Sequence, residues 1–184
     1  MLFSGLPFLY YFLPAVLVCY FAAPRKLKNA VLFVFSLIFY GWGEPRYIAL
    51  MIVSIFSGFV FALMIEKRQS KKSGLILMWI SVAVSLSFLL IFKYADFLIE
   101  NVNQLPGVSL PLFKLSLPIG ISFYTFQIIS YTVDVWRGDT KAQRNIISFG
   151  TYVSLFPQLI AGPIVRYTDI ERELQERKHS VILA

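Results

Sequence analysis

LPIGISFYTFQIISYTVDVWRG, residues 117–138, and NIISFGTYVSLFPQLIAGPIVRY, residues 145–167, are separated only by the polar link DTKAQR. The first is long and apolar enough to cross a bilayer as a helix, yet it carries polar side chains at helical spacing. The second is also apolar, but Pro157, Gly162 and Pro163 interrupt it. These two stretches decide between plain hydrophobic scaffold and a membrane protein with a polar interior.

In the first stretch Tyr124, Gln127, Tyr131 and Asp134 follow the i, i+3, i+7, i+10 spacing of one helical stripe. Polar groups inside a span are costly, so such a stripe faces a bundle interior or a cavity. Two readings follow. The stripe is one wall of a substrate tunnel, or it is hydrogen-bonding glue between helices. Asp134, with Arg137 three residues on, reads as an interfacial ion pair at the end of the span. In the second stretch Tyr152 and Gln158 are the tunnel candidates. Arg166 is either a cation for a phosphate-bearing acyl donor or a snorkelling side chain.

The rest of the chain agrees with a membrane setting. Of the 184 residues 58% are hydrophobic, 17% aromatic and only 15% charged, with a mean hydropathy of +0.70; a soluble domain carries about 25% charged residues. Upstream, further spans are expected at 6–22, 30–42, 47–65 and 74–92, with the fifth at 118–136. Pro14 should kink the first, and Asn29 should cap the second. Gly41, Gly43 and Pro45 read as a tight turn. Residues 94–105 read as a separate short interfacial helix, and Pro118 as the first turn of the fifth span. The expected fold is an all-α, polytopic transmembrane bundle of five to six segments, a single domain over residues 1–184. The N-terminus lacks a basic region before its apolar run, so it reads as an uncleaved first span, with cleavage after Ala22-Ala23 the minor alternative.

The net charge of +7 comes from clusters between apolar runs and is not read as a nucleic-acid footprint. Arg25, Lys26 and Lys28, then Lys67, Arg68, Lys71 and Lys72, then Arg137, Lys141 and Arg144 mark cytoplasmic loops. Simple alternation would put the residues after Val165 outside, yet Arg166, Arg172, Arg177 and Lys178 argue for the cytoplasmic side. A re-entrant or two-piece last segment resolves the conflict, because irregular backbone at membrane depth needs protein or a water-filled cavity around it; a plain kinked span is the alternative. Residues 168–179 read as a cytoplasmic surface helix with a Thr168–Glu171 capping box and a Glu173–Arg177 pair.

Little in the chain resembles catalytic machinery. His179, the one histidine, sits in RKHS and reads as a solvated side chain. Cys19, the one cysteine, reads as a small hydrophobe, and no metal site is expected. The residues themselves nominate no catalytic group.

The two opening stretches, together with FYGWGEPRYIALM from Phe39 and FKYADFLIENVNQL from Phe92, resemble the bacterial branch of the membrane-bound O-acyltransferase family in the same order. The resemblance implies acetyl transfer from acetyl-CoA towards an exported polysaccharide such as alginate. It also implies an extracytoplasmic partner enzyme and a place in the bacterial inner membrane. It covers the N-terminal part of the family's length, and the family's proposed catalytic histidine lies in a later His-Gly-rich stretch that has no counterpart here. The chain is therefore expected to be a fragment or truncation, inactive by itself. The matching positions Gln127, Tyr131, Asp134, Arg137, Gln158, Pro163 and Arg166 carry over as tunnel or structural positions, with Pro157 and Gly162 structural. A non-catalytic membrane scaffold is the alternative.

Overall fold

The computed structural model describes residues 5–69, 71–104, 109–113, 118–161 and 165–175. Every regular element among them is helical. The order is α1 (Leu13–Ala22), α2 (Lys28–Gly43), α3 (Ile48–Glu66), α4 (Lys72–Val102), α5 (Ile121–Arg137), α6 (Ile146–Ser154), α7 (Phe156–Ala161) and α8 (Tyr167–Gln175). The helical stretch Pro45–Glu66 that contains α3, and α4 itself, are long and apolar enough to cross a membrane; Phe8–Ala22 and Ile146–Leu159 are shorter apolar helices.

A wide π-turn, Phe8–Phe12, runs into α1, and the Leu13 N–H bonds the Phe8 carbonyl five residues back. Pro14 explains it. Its ring lacks an N–H and crowds the carbonyl four residues earlier, so the helix widens just upstream instead of kinking sharply. Phe8, Phe12, Phe39 and Phe156 then pack as an aromatic knot, with centroids 5.4–5.8 Å apart. At the other end of α1, Lys28 lies over the Tyr20 ring at 4.6 Å.

α3, α4 and α5 form the central layer. Gly58 on α3 lies close against α5: a Cβ there would sit 2.6 Å from Ile128. Small residues let helices approach in this way where lipid offers no hydrophobic drive. The outward faces are apolar and exposed, among them Ile52, Phe56, Ile76, Trp79, Phe123 and Phe126. Apolar surface on this scale marks a face that contacts lipid or another protein.

Several expectations are corrected. α4 is one continuous helix of 31 residues, and residues 94–102 are its extension, not a separate interfacial helix. No glycine or proline lies between Gly74 and Val102, so nothing ends it at the charge of Lys93. Asn103 and Asp96 then pin the next segment, Asn103 to both the Leu110 N–H and carbonyl, Asp96 to the Phe113 N–H. Asn29 is no cap. α2 starts one residue earlier, and the Asn29 amide donates to Ser148 Oγ at 2.9 Å and to the Leu174 carbonyl at 3.0 Å. Gly41 and Gly43 lie inside α2, and the chain turns at Glu44. Pro118 stands before α5, whose N-cap is Gly120. The break in the last segment falls at Leu155, with ψ 114°. Pro157 sits in the first turn of α7, where its missing N–H costs nothing. Gly162 and Pro163 lie outside the described residues.

The basic clusters meet at one end. Glu66 at the end of α3 holds Arg144 at 2.6 Å and the Ala142 N–H at 3.2 Å. Gln69 donates to the Val135 carbonyl at 3.0 Å. Asn29 reaches α6 and α8 at the same end. The broken segment starts here and comes back here. Asn145 caps α6, and Leu159 of α7 lies against Gly120 at the far end of α5. Arg166 and Tyr167 are again beside the near end of α5 and the 139–145 link. At the break, the Phe156 N–H would be orphaned in an apolar interior, and the fully buried Ser36 hydroxyl on α2 accepts it at 3.3 Å.

Candidate functional site

The polar stripe of α5 is fully inside. Tyr124, Gln127, Tyr131 and Asp134 are all buried, which the helical spacing alone implied. α5 ends in a Schellman turn: Gly138, at φ 86°, sends its N–H to Val135, and the Asp139 N–H reaches the Asp134 carbonyl. The positive φ requires glycine here. This turn fixes Asp134 in the last helical turn, at the basic end.

Tyr131, Tyr152 and Tyr167 close on Phe149 to form a buried ring cluster. Tyr131 is 4.7 Å from Phe149 and 4.8 Å from Tyr167; Tyr152 is 5.2 Å from Tyr167. Their hydroxyls are spent within the chain. Tyr131 accepts the Gln143 N–H at 2.7 Å, and Tyr167 accepts the Gln143 side-chain amide at 2.9 Å. Tyr152 donates to the Val165 carbonyl at 3.0 Å. Gln143 also accepts the Asn145 N–H, so one link residue organises two tyrosines and a helix cap. Sequence reading passed over it, since a glutamine in a polar link carries no pattern. Burial pushes the Tyr167 phenol up to about 12, so it is neutral at any physiological pH.

Asp134 pairs with Arg166 at 2.8 Å, and its side chain is 1% exposed against 53% for the arginine. The expected Asp134–Arg137 pair is not formed. Arg137 is exposed, and the carboxylate points inward to a residue 32 positions away. The second carboxylate oxygen of Asp134 is buried without a donor. Among the described residues Asp134 is the one buried acid.

The other candidates are not gathered there. Tyr124 lies about 15 Å up the helix from Asp134, by the rise per residue. Its hydroxyl is next to that of Tyr40, and neither makes a well-formed hydrogen bond. Gln158 is on α7, with its amide nitrogen buried and unpartnered. The Thr168–Glu171 box is not formed as expected, because α8 begins at Tyr167 and Glu171 accepts from Thr140 at 2.7 Å. His179 and the Glu173–Arg177 pair fall outside the described residues and side chains. No group of three or more His, Cys, Asp or Glu side chains able to hold a metal occurs among the described residues.

The arrangement is a polar, aromatic-lined end of an apolar bundle, with one buried carboxylate and one half-exposed guanidinium. It can bind and orient charge. Over the described residues it offers no paired base and nucleophile.

No protein-family model matches the chain, and no solved structure matches it. The chain is 38% identical, over 98% of its length, to the probable alginate O-acetylase AlgI of Pseudomonas syringae pv. tomato. It is 38% identical over the same share to the protein of that name from Pseudomonas aeruginosa. To the peptidoglycan O-acetyltransferase of Helicobacter pylori it is 26% identical over 99%. It spans 36% of the length of each of the two Pseudomonas proteins and 40% of the Helicobacter protein.

Proposed function

We propose that this chain forms the first third of a membrane-bound O-acyltransferase that acetylates an exported polysaccharide. The observation that supports this most directly is the similarity, over nearly all its residues, to proteins named O-acetylases. The apolar exterior and the polar basic end fit that reading. On it, the α1–α5 bundle and the broken α6–α7 segment are a multi-pass scaffold in the inner membrane, with the basic loops cytoplasmic. Alginate or a related polymer is the acceptor, and an extracytoplasmic enzyme completes the transfer.

Acetyl-CoA is the donor we propose, acting as substrate and supplying the activated acetyl group. The residues present fit it by charge: Arg166, Arg137 and Lys141 are exposed cations at the basic end, able to face phosphates. On this reading Gln127 and Gln158 line the path inward. The chain's own part is to bind and orient, and a base for the acceptor hydroxyl comes from elsewhere in the full enzyme.

A chimera tests this. The matching stretch of the Pseudomonas aeruginosa relative is replaced by residues 1–184, and the acetyl content of the alginate is measured. Acetylation at a tenth or more of the parental level, at matched membrane abundance, is the expected result. An abundant, membrane-inserted chimera with no acetylation would instead favour the scaffold reading. That alternative has one observation behind it: the single buried acid among the described residues is already tied to Arg166.

A further inference from the structure

Three consecutive residues, 165–167, are each tied to a different part of the bundle. The Val165 carbonyl takes the Tyr152 hydroxyl from α6. The Arg166 guanidinium takes Asp134 from the end of α5. The Tyr167 hydroxyl takes Gln143 from the link. Such density of ties is unusual for residues that merely join one helix to the next. The central tie is also the costly one. A carboxylate with 1% exposure has lost its water. It also sits in the last turn of α5, where the helix dipole presents negative charge and disfavours an acid. Its second oxygen has no donor. Asp134 is worse placed than almost any neutral residue would be, unless Arg166 is there.

We propose that Asp134 and Arg166 are a positioning pair. Their ion pair clamps the return limb of the broken segment to the basic end of α5, so that α6 and α7 dip into the bundle and come back without crossing it. The clamp fixes the distance between the two limbs and, with it, the polar end that Tyr131, Tyr152 and Gln143 line. Arg166 keeps half its surface outward while its orientation is set from inside, which makes it a preset cation at that end. The clamp is a property of these residues and holds whether or not the chain serves acyl transfer.

The test uses the whole 184-residue chain in membranes, in a Cys19→Ser background with Val165→Cys as the reporter. Asp134→Asn, which is nearly isosteric, and Arg166→Gln, which is shorter but still polar, are made singly and together so that insertion is kept. Each single change should speed modification of the Val165→Cys thiol by about tenfold, which corresponds to roughly 1.4 kcal/mol of lost closure. The double variant should be no faster than the quicker single, because both remove one interaction. A second reporter, Thr168→Cys, should be reached by a thiol reagent from the same side as a cysteine at Arg144. Additive rates in the double variant, unchanged rates in both singles, or opposite-side labelling of positions 144 and 168 would each overturn the clamp. Absence of acetylation in the chimera, with each single variant still speeding modification of the Val165→Cys thiol, would count against the acyltransferase reading and leave the clamp standing.

Discussion

Gln143 shows how much one side chain in a short link can carry. Its backbone N–H and its amide serve two tyrosines, and its carbonyl oxygen accepts from Asn145. Gln143→Ala keeps the first bond and loses the others, leaving a buried phenol without its donor. Such a loss costs about 1–3 kcal/mol, so thermal unfolding in detergent should begin several degrees lower, with α8 the first part to become protease-sensitive. Gly58 gives a second test. A Cβ at 2.6 Å from Ile128 forces α3 and α5 apart, and Gly58→Val should destabilise by about 1–3 kcal/mol, read as reduced membrane-inserted protein. The residue scale is also where sequence reading fared unevenly. The inward stripe of α5 was legible because burial follows a 3.6-residue period. The partner of Asp134 was not, because Arg137 is the near cation in sequence and Arg166 the near one in space. Asn29 misled for a similar reason: it stands beside a helix start, but its amide is drawn to Ser148 and Leu174 across the bundle.

At the level of elements, breaks are set by what backbone groups can find. The proline and glycine signals foretold an interruption in residues 145–167. The position of the break, at Leu155, depends on Ser36 of another helix accepting the freed Phe156 N–H, and no local pattern reports that. Ser36→Ala should therefore cost about 1–3 kcal/mol by orphaning a buried donor, whereas Ser36→Thr, which keeps an acceptor, should cost less; hydrogen exchange at Phe156 distinguishes the two. α8 offers a pH test. Its Tyr167 has an ordinary value of 10.0, raised to about 12 by burial. The folded form thus holds its proton more tightly than the unfolded one. The stabilisation it brings is complete below pH 10 and is lost as pH rises towards 12. α8 should undock over that interval, followed by tyrosinate absorbance, and Tyr167→Phe should remove this part of the alkaline loss. α4 was split by the sequence reading at Lys93 because charge usually ends a span. The helix itself needs a breaker to stop, and none is present before Val102.

For the molecule as a whole, the Lys and Arg distribution foresaw the shared end correctly, since electrostatics of loops needs no knowledge of packing. If that end is cytoplasmic, Ser73→Cys in a Cys19→Ser chain should resist an impermeant thiol reagent applied from outside, while Leu110→Cys should react; the reverse pattern would invert the orientation. One feature of shape also follows from lengths alone. α3 and α4 are joined by the short link 67–71 at the basic end, so the end of α3 and the start of α4 are level, yet α4 is 31 residues and the helical stretch Pro45–Glu66 that contains α3 is 22. The surplus lifts the tip of α4 roughly 14 Å beyond its neighbour. Whatever the bilayer's thickness, that overhang is built into the protein. It acts as a mast, with the 109–113 segment lashed to it by Asp96 and Asn103. The exposed Phe97 and Leu98 near its top stand at a fixed height beyond the start of α3, and shortening α4 by whole turns would lower them in steps of about 5.4 Å.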